Sequence, residues 1–477
     1  MNRRPFSVTM SARNAATANR IPCSDLMTEA KRMKPSMSRL TLAMMAGLFT
    51  LPASAADLLA ALRDALSNDA QYLAARAQRD ATAERKPQAL AGLLPTLTLS
   101  GNSIYNDTEV TKPFSGSAQY NSNAWTLQLT QPLFRWQNWV QYEQGELQVA
   151  GAEATYAQAR QDLMLRVAQA YFDLLYAQDV LTSIQSQKTA AKEQLELAER
   201  SFEVGTVTIT DVHEAQSRYD LAGAQEIAAM NDIEVKRYAL MVITGKDSGR
   251  LQPLRGDAEP PRPQPDDMQS WVSSAEDGNF AVASQVAALE VARREVRRQQ
   301  AGHLPTVDIV ATRGENKTLS VLGGAPTDIE QKNSTIGLQF SVPLFQGLGQ
   351  QSRVRESAHL LDKAQSDLDA ARRNAAQSAR QAYLGVVNGM SQTRALQAAL
   401  RSSTSALESN KLGYEVGVRI NIDVLNAQQQ LYATRRDLAK ARYDTLLAQL
   451  RLKAAAGQLG DDDFMAMNAL LEATPAP

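Results

Sequence analysis

Two aspartates stand at matching places in a chain that repeats itself. Asp211 follows Gly205 by six residues, and Asp423 follows Gly417 by the same six. The frame around them recurs at an offset of 212: Phe202-Glu203-Val204-Gly205, Asp211-Val212 and Ala215-Gln216 return as Tyr414-Glu415-Val416-Gly417, Asp423-Val424 and Ala427-Gln428. A carboxylate so soon after a glycine turn can accept from the free N–H groups of the next helix. The glycine supplies the left-handed residue that ends the helix before it. Catalysis finds no comparable frame. His213, His303 and His359 are scattered without metal-binding spacing, and there is no Gly-rich phosphate loop, nucleophile elbow or Cys/His pair. His303 reads as a positioning or core residue. No enzyme activity, metal or cofactor is expected.

The duplication reaches far beyond the aspartates. Gln169-Ala170-Tyr171 returns as Gln381-Ala382-Tyr383, Gly92-Leu93-Leu94-Pro95-Thr96 as Gly302-His303-Leu304-Pro305-Thr306, and Pro132-Leu133-Phe134 as Pro343-Leu344-Phe345. A unit this long is a duplicated domain, since solenoid units run to about 20–50 residues. The chain divides into a leader and signal peptide (1–55), a first repeat (56–245), a Pro-rich linker (246–267), a second repeat (268–457) and a C-terminal segment (458–477).

The leader sets the compartment. Lys31, Arg32, Lys34 and Arg39 precede the apolar run Leu40 to Leu51, and Ala53-Ser54-Ala55 has the small-x-small pattern of a cleavage site. Cleavage before Ala56 would remove Cys23, the one cysteine, and leave 42 basic against 49 acidic residues. A net charge of −7 argues against a nucleic-acid partner, which needs a clustered basic surface. No later apolar run is long enough for a membrane helix, so the exported chain is expected in the periplasm, outside the cell, or in an outer membrane as β-structure.

Four segments alternate as strands: about 96–105, 123–134, 306–314 and 334–345. Leu97 and Leu99 oppose Thr96, Thr98 and Ser100; Trp125, Leu127 and Leu129 oppose Thr126, Gln128 and Thr130; Ile336, Leu338 and Phe340 oppose Gly337, Gln339 and Ser341. Apolar on one side and small-polar on the other, these fit either strands of an outer-membrane barrel with a wet lumen or soluble hairpins with one buried face. The polar stretches 106–122 and 315–333 read as exposed loops. Trp125, Trp136 and Trp139 flank the second strand, either as an interfacial girdle or as packing at a strand–helix junction. Between strands and aspartates, a seam with 4,3 spacing runs Val167, Ala170, Leu174, Ala177, Leu181, Ile184, Lys188, Ala191, Leu195, Ala198, Phe202, broken only by Lys188. The helix carrying it, from near Asn138, would be roughly 100 Å long. Its copy, from about Ser352 to Leu412, has smaller seam residues, Ala375, Ala379, Ala382, Val386 and Gly389, which permit closer helix approach. Helices this long need a coiled-coil bundle, and four strands cannot close a membrane barrel alone, since the smallest have about eight.

Over residues 57–472 the chain resembles the TolC family of outer-membrane exit ducts, most specifically in Gly302-His303-Leu304-Pro305-Thr306-Val307-Asp308, in Tyr414-Glu415-Val416-Gly417 through Asp423-Val424-Leu425, and in Ala441-Arg442-Tyr443. The resemblance implies an α+β membrane protein. Four transmembrane strands per chain would build a 12-stranded barrel shared by a homotrimer, continued by a helical coiled-coil tunnel across the periplasm. The linker with Pro253, Pro260, Pro261, Pro263 and Pro265, and the segment after Gly457, would lie near the tunnel's equator. It further implies partners: outer-membrane lipid, a periplasmic adaptor and an inner-membrane transporter. The cargo would be an exported protein, with an ABC transporter, or small molecules in an efflux system. The missing mature cysteine, and with it any N-terminal acylation, leans toward protein secretion. A periplasmic coiled-coil adaptor, which would lack the membrane strands, is the reading from another class.

By the same resemblance the tunnel is gated at its periplasmic end. Carried over by position, the gate residues are Thr210 and Asp211 in the first half and Tyr414, Arg419, Asp423 and Asn426 in the second. The family pattern pairs Arg419 with Asp211, although Arg419 is also close to Asp423 in sequence. Asn426 stands where the family reference has a second aspartate. One ring of Asp423 carboxylates is therefore expected at the axis, and weaker block by divalent cations.

Overall fold

A computed structural model describes residues 57–111, 115–249, 251–256, 261–322 and 325–472. The expected signal peptide lies outside these residues, as do Cys23 and Pro260. Both repeats have the same plan. The first runs α1 (Leu58–Asn68), α2 (Ala70–Ala83), α3 (Arg85–Ala91), β1 (Thr96–Val110), β2 (Gly116–Phe134), α4 (Trp136–Glu203) and α5 (Ile209–Thr244). The second runs α6 (Met268–Gly278), α7 (Phe280–Gln300), β3 (Thr306–Leu322), β4 (Ala325–Ser341), α8 (Gly349–Glu415) and α9 (Asn421–Ala455), followed by α10 (Asp461–Asn468).

The strands form one antiparallel sheet in the order β1-β2-β3-β4. Its register separates the two kinds of side chain. One face carries the row Leu97, Leu129, Ala311, Ile336, and the other the row Thr98, Gln128, Thr312, Thr335. The apolar face has no cover: Ile336 is 80% exposed and Leu338 71%. It begins with the pair Val307–Phe340 and meets its first charge at Arg313–Ser334, six residues further along. At about 3.4 Å per residue that is roughly 20 Å along the strand, somewhat short of the ~25 Å apolar band of outer-membrane barrels.

The strands are longer than the alternation predicts, and this corrects the reading of 106–122 and 315–333 as loops. Pairing continues to Val110–Gly116 and to Leu322–Ala325. Beyond the apolar band residues such as Leu319 and Ile329 are scattered among polar ones on both faces, so no hydrophobic period betrays a strand there, while the backbone ladder runs on. Trp125 consequently lies within β2, paired with Gly101 and Glu315 where the band ends. Strand β4 stops at Ser341 rather than 345, two residues before Pro343, which has no N–H for a ladder.

The seam packs as its spacing requires. Val167, Ala170, Leu174, Ala177, Ile184, Ala191, Leu195 and Ala198 are buried, in a helix of 68 residues. Phe202, at its end, is exposed. Lys188 answers its own anomaly by donating to Glu226 of α5 at 2.7 Å, which holds that carboxyl below its usual range. Helix α7 packs along the N-terminal part of α4, where Gln144 meets Glu295, and α5 along its C-terminal part, where Asp173 meets Lys236 and Lys188 meets Glu226, so two shorter helices span the long one. Against α9, α8 approaches closely, as its small seam predicts: a Cβ on Gly389 would meet Thr445 Oγ1 at 2.5 Å.

The largest core surrounds the middle of α4. Tyr171, Phe172, Leu174 and Leu175 pack there with α1, α5, α9, Leu251 and Phe464 of α10. Tyr443, from the Ala441-Arg442-Tyr443 motif, stacks on Phe172 and donates to Asp179 at 2.7 Å, and burial raises the Asp179 carboxyl. The linker pairs with the C-terminal segment: Arg255 N donates to Leu470 O at 3.0 Å and Glu472 N to Pro253 O at 2.8 Å.

The glycine of the strand-initiation motif explains itself. Gln350, near the start of α8, donates to Gln299 O and fills the space a Cβ on Gly302 would need, and Asn138 donates to Gly92 O in the first copy. His303 beside it is exposed, so the core reading of that histidine does not hold. Asp308 is buried, and Arg135, the residue before α4, grips it with two bonds of 2.8 and 2.6 Å.

Candidate functional site

Both hairpins end in the same reverse turn, with Gly205 at φ 77° and Gly417 at φ 79°. The next helices begin differently. In the first hairpin Thr208 caps α5, and Asp211 completes a capping box, accepting from Thr208 N at 2.9 Å and from its hydroxyl at 2.7 Å. In the second, Ile420 occupies the capping position and has no side chain to offer. Asp423 is thereby released from the work its twin performs. It faces Arg419, whose Nη1 is 3.6 Å from its carboxylate. Arg419 in turn lies over Gly413, where a Cβ would meet its Cγ at 2.6 Å.

Within the chain, then, the arginine's partner is Asp423, and Asp211 is engaged with Thr208. Thr210 is exposed in the first turn of α5, and Tyr414 is half-buried near the end of α8. Arg419, Asp423 and Asn426 line one groove between α8 and α9, together with Asn410 and Gln430. Thr210 and Tyr414 are not part of it.

A residue that sequence reasoning passed over ties the hairpins together. Asn421, the first residue of α9, is 2% exposed. Its Oδ1 accepts from Gln194 of α4 at 2.6 Å, and its amide donates to the Asp211 carbonyl of α5 at 3.4 Å. Three helices of two hairpins thus meet on one buried amide. The signal was present in the duplication: the equivalent residue 212 positions earlier is Ile209, and a polar residue replacing an aliphatic one in a packed tip needs a partner. Farther along, Tyr432 donates to Ser186 O at 3.1 Å and Arg436 to Gln187 at 3.2 Å. These polar contacts hold α9 against α4, and single hydrogen bonds of this kind, even one donated by an arginine to a neutral amide, are weak enough to exchange.

The architecture and the tip can now be set beside known proteins. TolC of Escherichia coli is 32% identical over 430 residues, covering 88% of this chain and 86% of that protein. The alkaline protease secretion protein AprF of Pseudomonas aeruginosa is 33% identical over 424 residues, covering 86% and 87%. Among solved structures, the Campylobacter jejuni CmeC outer membrane channel superposes with a TM-score of 0.73 at 19% identity, covering 87% of this chain and 90% of that one. The outer membrane efflux protein family matches residues 61–246 and 271–458, one stretch in each repeat. The chain belongs to the outer membrane efflux protein family, as an outer-membrane channel with a periplasmic helical tunnel.

Proposed function

We propose that this protein is the exit duct of a tripartite machine that secretes a protein, working with a periplasmic adaptor and an ABC-type inner-membrane transporter. The observation that carries the duct reading is the sheet: four strands with an uncovered apolar face and two free edges, standing on helices about 100 Å long. Such a sheet is one third of a 12-stranded barrel, closed when β4 of each chain pairs with β1 of the next. Its polar face, with Thr98, Gln128, Thr312 and Thr335, lines the lumen. Protein cargo is favoured by the similarity to AprF, a protein of protease secretion. Efflux of small molecules is the second reading, favoured by the family's own description.

The gate belongs to this proposal. Thr210, Asp211, Tyr414, Arg419, Asp423 and Asn426 lie at or near the two tips, where the hairpins of three chains would converge on the axis. The closed state holds while Asn421, Arg419 and their partners stay engaged, and it opens when the α8–α9 tip leaves α4 and α5. Arg419→Ser removes the ion pair with Asp423 and is expected to raise single-channel conductance in planar bilayers; unchanged conductance would remove Arg419 from the gate.

The cargo is tested by comparing culture supernatants of wild type and a deletion strain by mass spectrometry. Loss of one large protein from the deletion supernatant is the expected result. Identical supernatants, together with hypersensitivity to detergents and dyes, would reassign the duct to efflux.

A further inference from the structure

Helix α5 contributes a charge to the tip that the gate described above does not use. Arg218 crosses from α5 to α9, donating from Nη1 to Gln429 Oε1 at 2.5 Å and from Nη2 to Asn426 Oδ1 at 3.2 Å. Both acceptors are neutral amides, so neither contact cancels the charge of the guanidinium. Asn426 is three residues beyond Asp423 and is exposed, on the side of α9 opposite the buried Val424, Leu425 and Gln428. The duplication shows that an arginine here is no requirement of the hairpin, because the equivalent residue in the second copy is Gln430.

We propose that Arg218 is a specificity-determining residue of the entrance. It lays a positive charge on the exposed ridge of α9, one helical turn from the Asp423 carboxylate, and so lowers the preference of the entrance for cations. Arg419, 3.6 Å from Asp423, acts in the same sense. Asp211 and Glu214 on α5 keep carboxylates nearby, so removing Arg218 shifts a selectivity that already exists. The ions most affected are multivalent cations, because the interaction with a fixed charge scales with the charge of the ion. Three copies round the axis multiply the effect, and screening confines it to the constriction, within about 10 Å at 0.1 M salt.

The inference rests on the tips being the gated entrance, and the test separates the two. Wild-type, Arg218→Gln, Arg218→Lys and Asp423→Asn trimers are reconstituted in planar bilayers. Two quantities are read: the K⁺/Cl⁻ permeability ratio in a KCl gradient, and the concentration of hexaamminecobalt(III) that halves the current. Arg218→Gln is expected to raise the permeability ratio about twofold or more and to lower the half-blocking concentration about threefold or more. Arg218→Lys, which keeps the charge but not the fork of hydrogen bonds, is expected to stay near wild type. Wild-type values for Arg218→Gln would overturn the inference, as would equal shifts in the Gln and Lys variants. If Asp423→Asn also changes neither quantity, the tips are not the constriction, and the entrance reading falls with it.

Discussion

Asn421→Ala tests the gate through its buried amide. The substitution removes the acceptor of Gln194, a side chain that is itself only 6% exposed, and the donor to the Asp211 carbonyl. Leaving a buried amide without its partner costs about 1–3 kcal/mol. Because α4, α5 and α9 must be together for this contact to exist, the loss falls on the closed state. At about 1.4 kcal/mol per factor of ten, the open fraction should rise roughly 5- to 150-fold for each chain. Single-channel recording of reconstituted trimers reads this as longer and more frequent openings. The control is Gln194→Leu combined with Asn421→Leu, which replaces both partners with apolar groups of about the same size and so leaves no buried polar group of the pair unsatisfied. That pair should close again. A channel as quiet as wild type with Asn421→Ala, or a double variant as leaky as the single one, would refute the reasoning.

Three further outcomes are expected. Arg135→Gln strands the buried Asp308 carboxylate, and since Arg135 itself is 41% exposed, a cost of about 2 kcal/mol is expected, below the 3–5 kcal/mol of a fully buried pair. Urea denaturation of detergent-solubilised trimers followed by tryptophan fluorescence reads it, with Asp308→Asn restoring part of the loss. Gly245→Ala and Gly457→Ala both place a side chain at φ near +73° and each cost about 1–2 kcal/mol of strain. Only at Gly457 would the new Cβ also collide with fixed backbone, the Gly278 carbonyl, whereas Gly245 faces the Asn68 side chain; trimer melting should be lowered clearly more by Gly457→Ala. Glu295 is held at about 2, against an ordinary 4.5, chiefly by its hydrogen bond from Arg298. A depressed carboxyl stabilises the fold above its unfolded value and loses that contribution as pH falls, so an acid titration should show stability declining between about 4.5 and 2, with a smaller decline in Arg298→Gln.

What was readable in the chain was what repeats with a hydrophobic period. The 4,3 seam of α4 is a line of apolar residues, and it located a helix that begins two residues before Asn138. Alternation located all four strands at their membrane ends, where Leu97, Leu129 and Ile336 face one way. It failed at the far ends, because Asn106 opposite Tyr120 and Lys317 opposite Glu330, an ion pair at 3.4 Å, set polar residues where an alternating apolar face would have to run. At the tips the turn glycines and Asp211 were legible as local chemistry. Asn421 and Arg218 were not, since their partners are 227 and 211 residues away. Such long-range polar contacts leave no period, and only the mismatch between the two copies, Ile209 against Asn421 and Gln430 against Arg218, pointed to them.

The two free edges of the sheet have a genetic consequence. A chain that supplies only β1 to β4 owns a third of a wall, so no barrel belongs to any one gene copy. When a cell makes equal amounts of normal and gate-defective chains that assemble at random, about one trimer in eight is wholly normal. An allele that jams the tip without disturbing the strands should therefore behave as dominant, while one that destroys the sheet, and never joins a barrel, should be recessive.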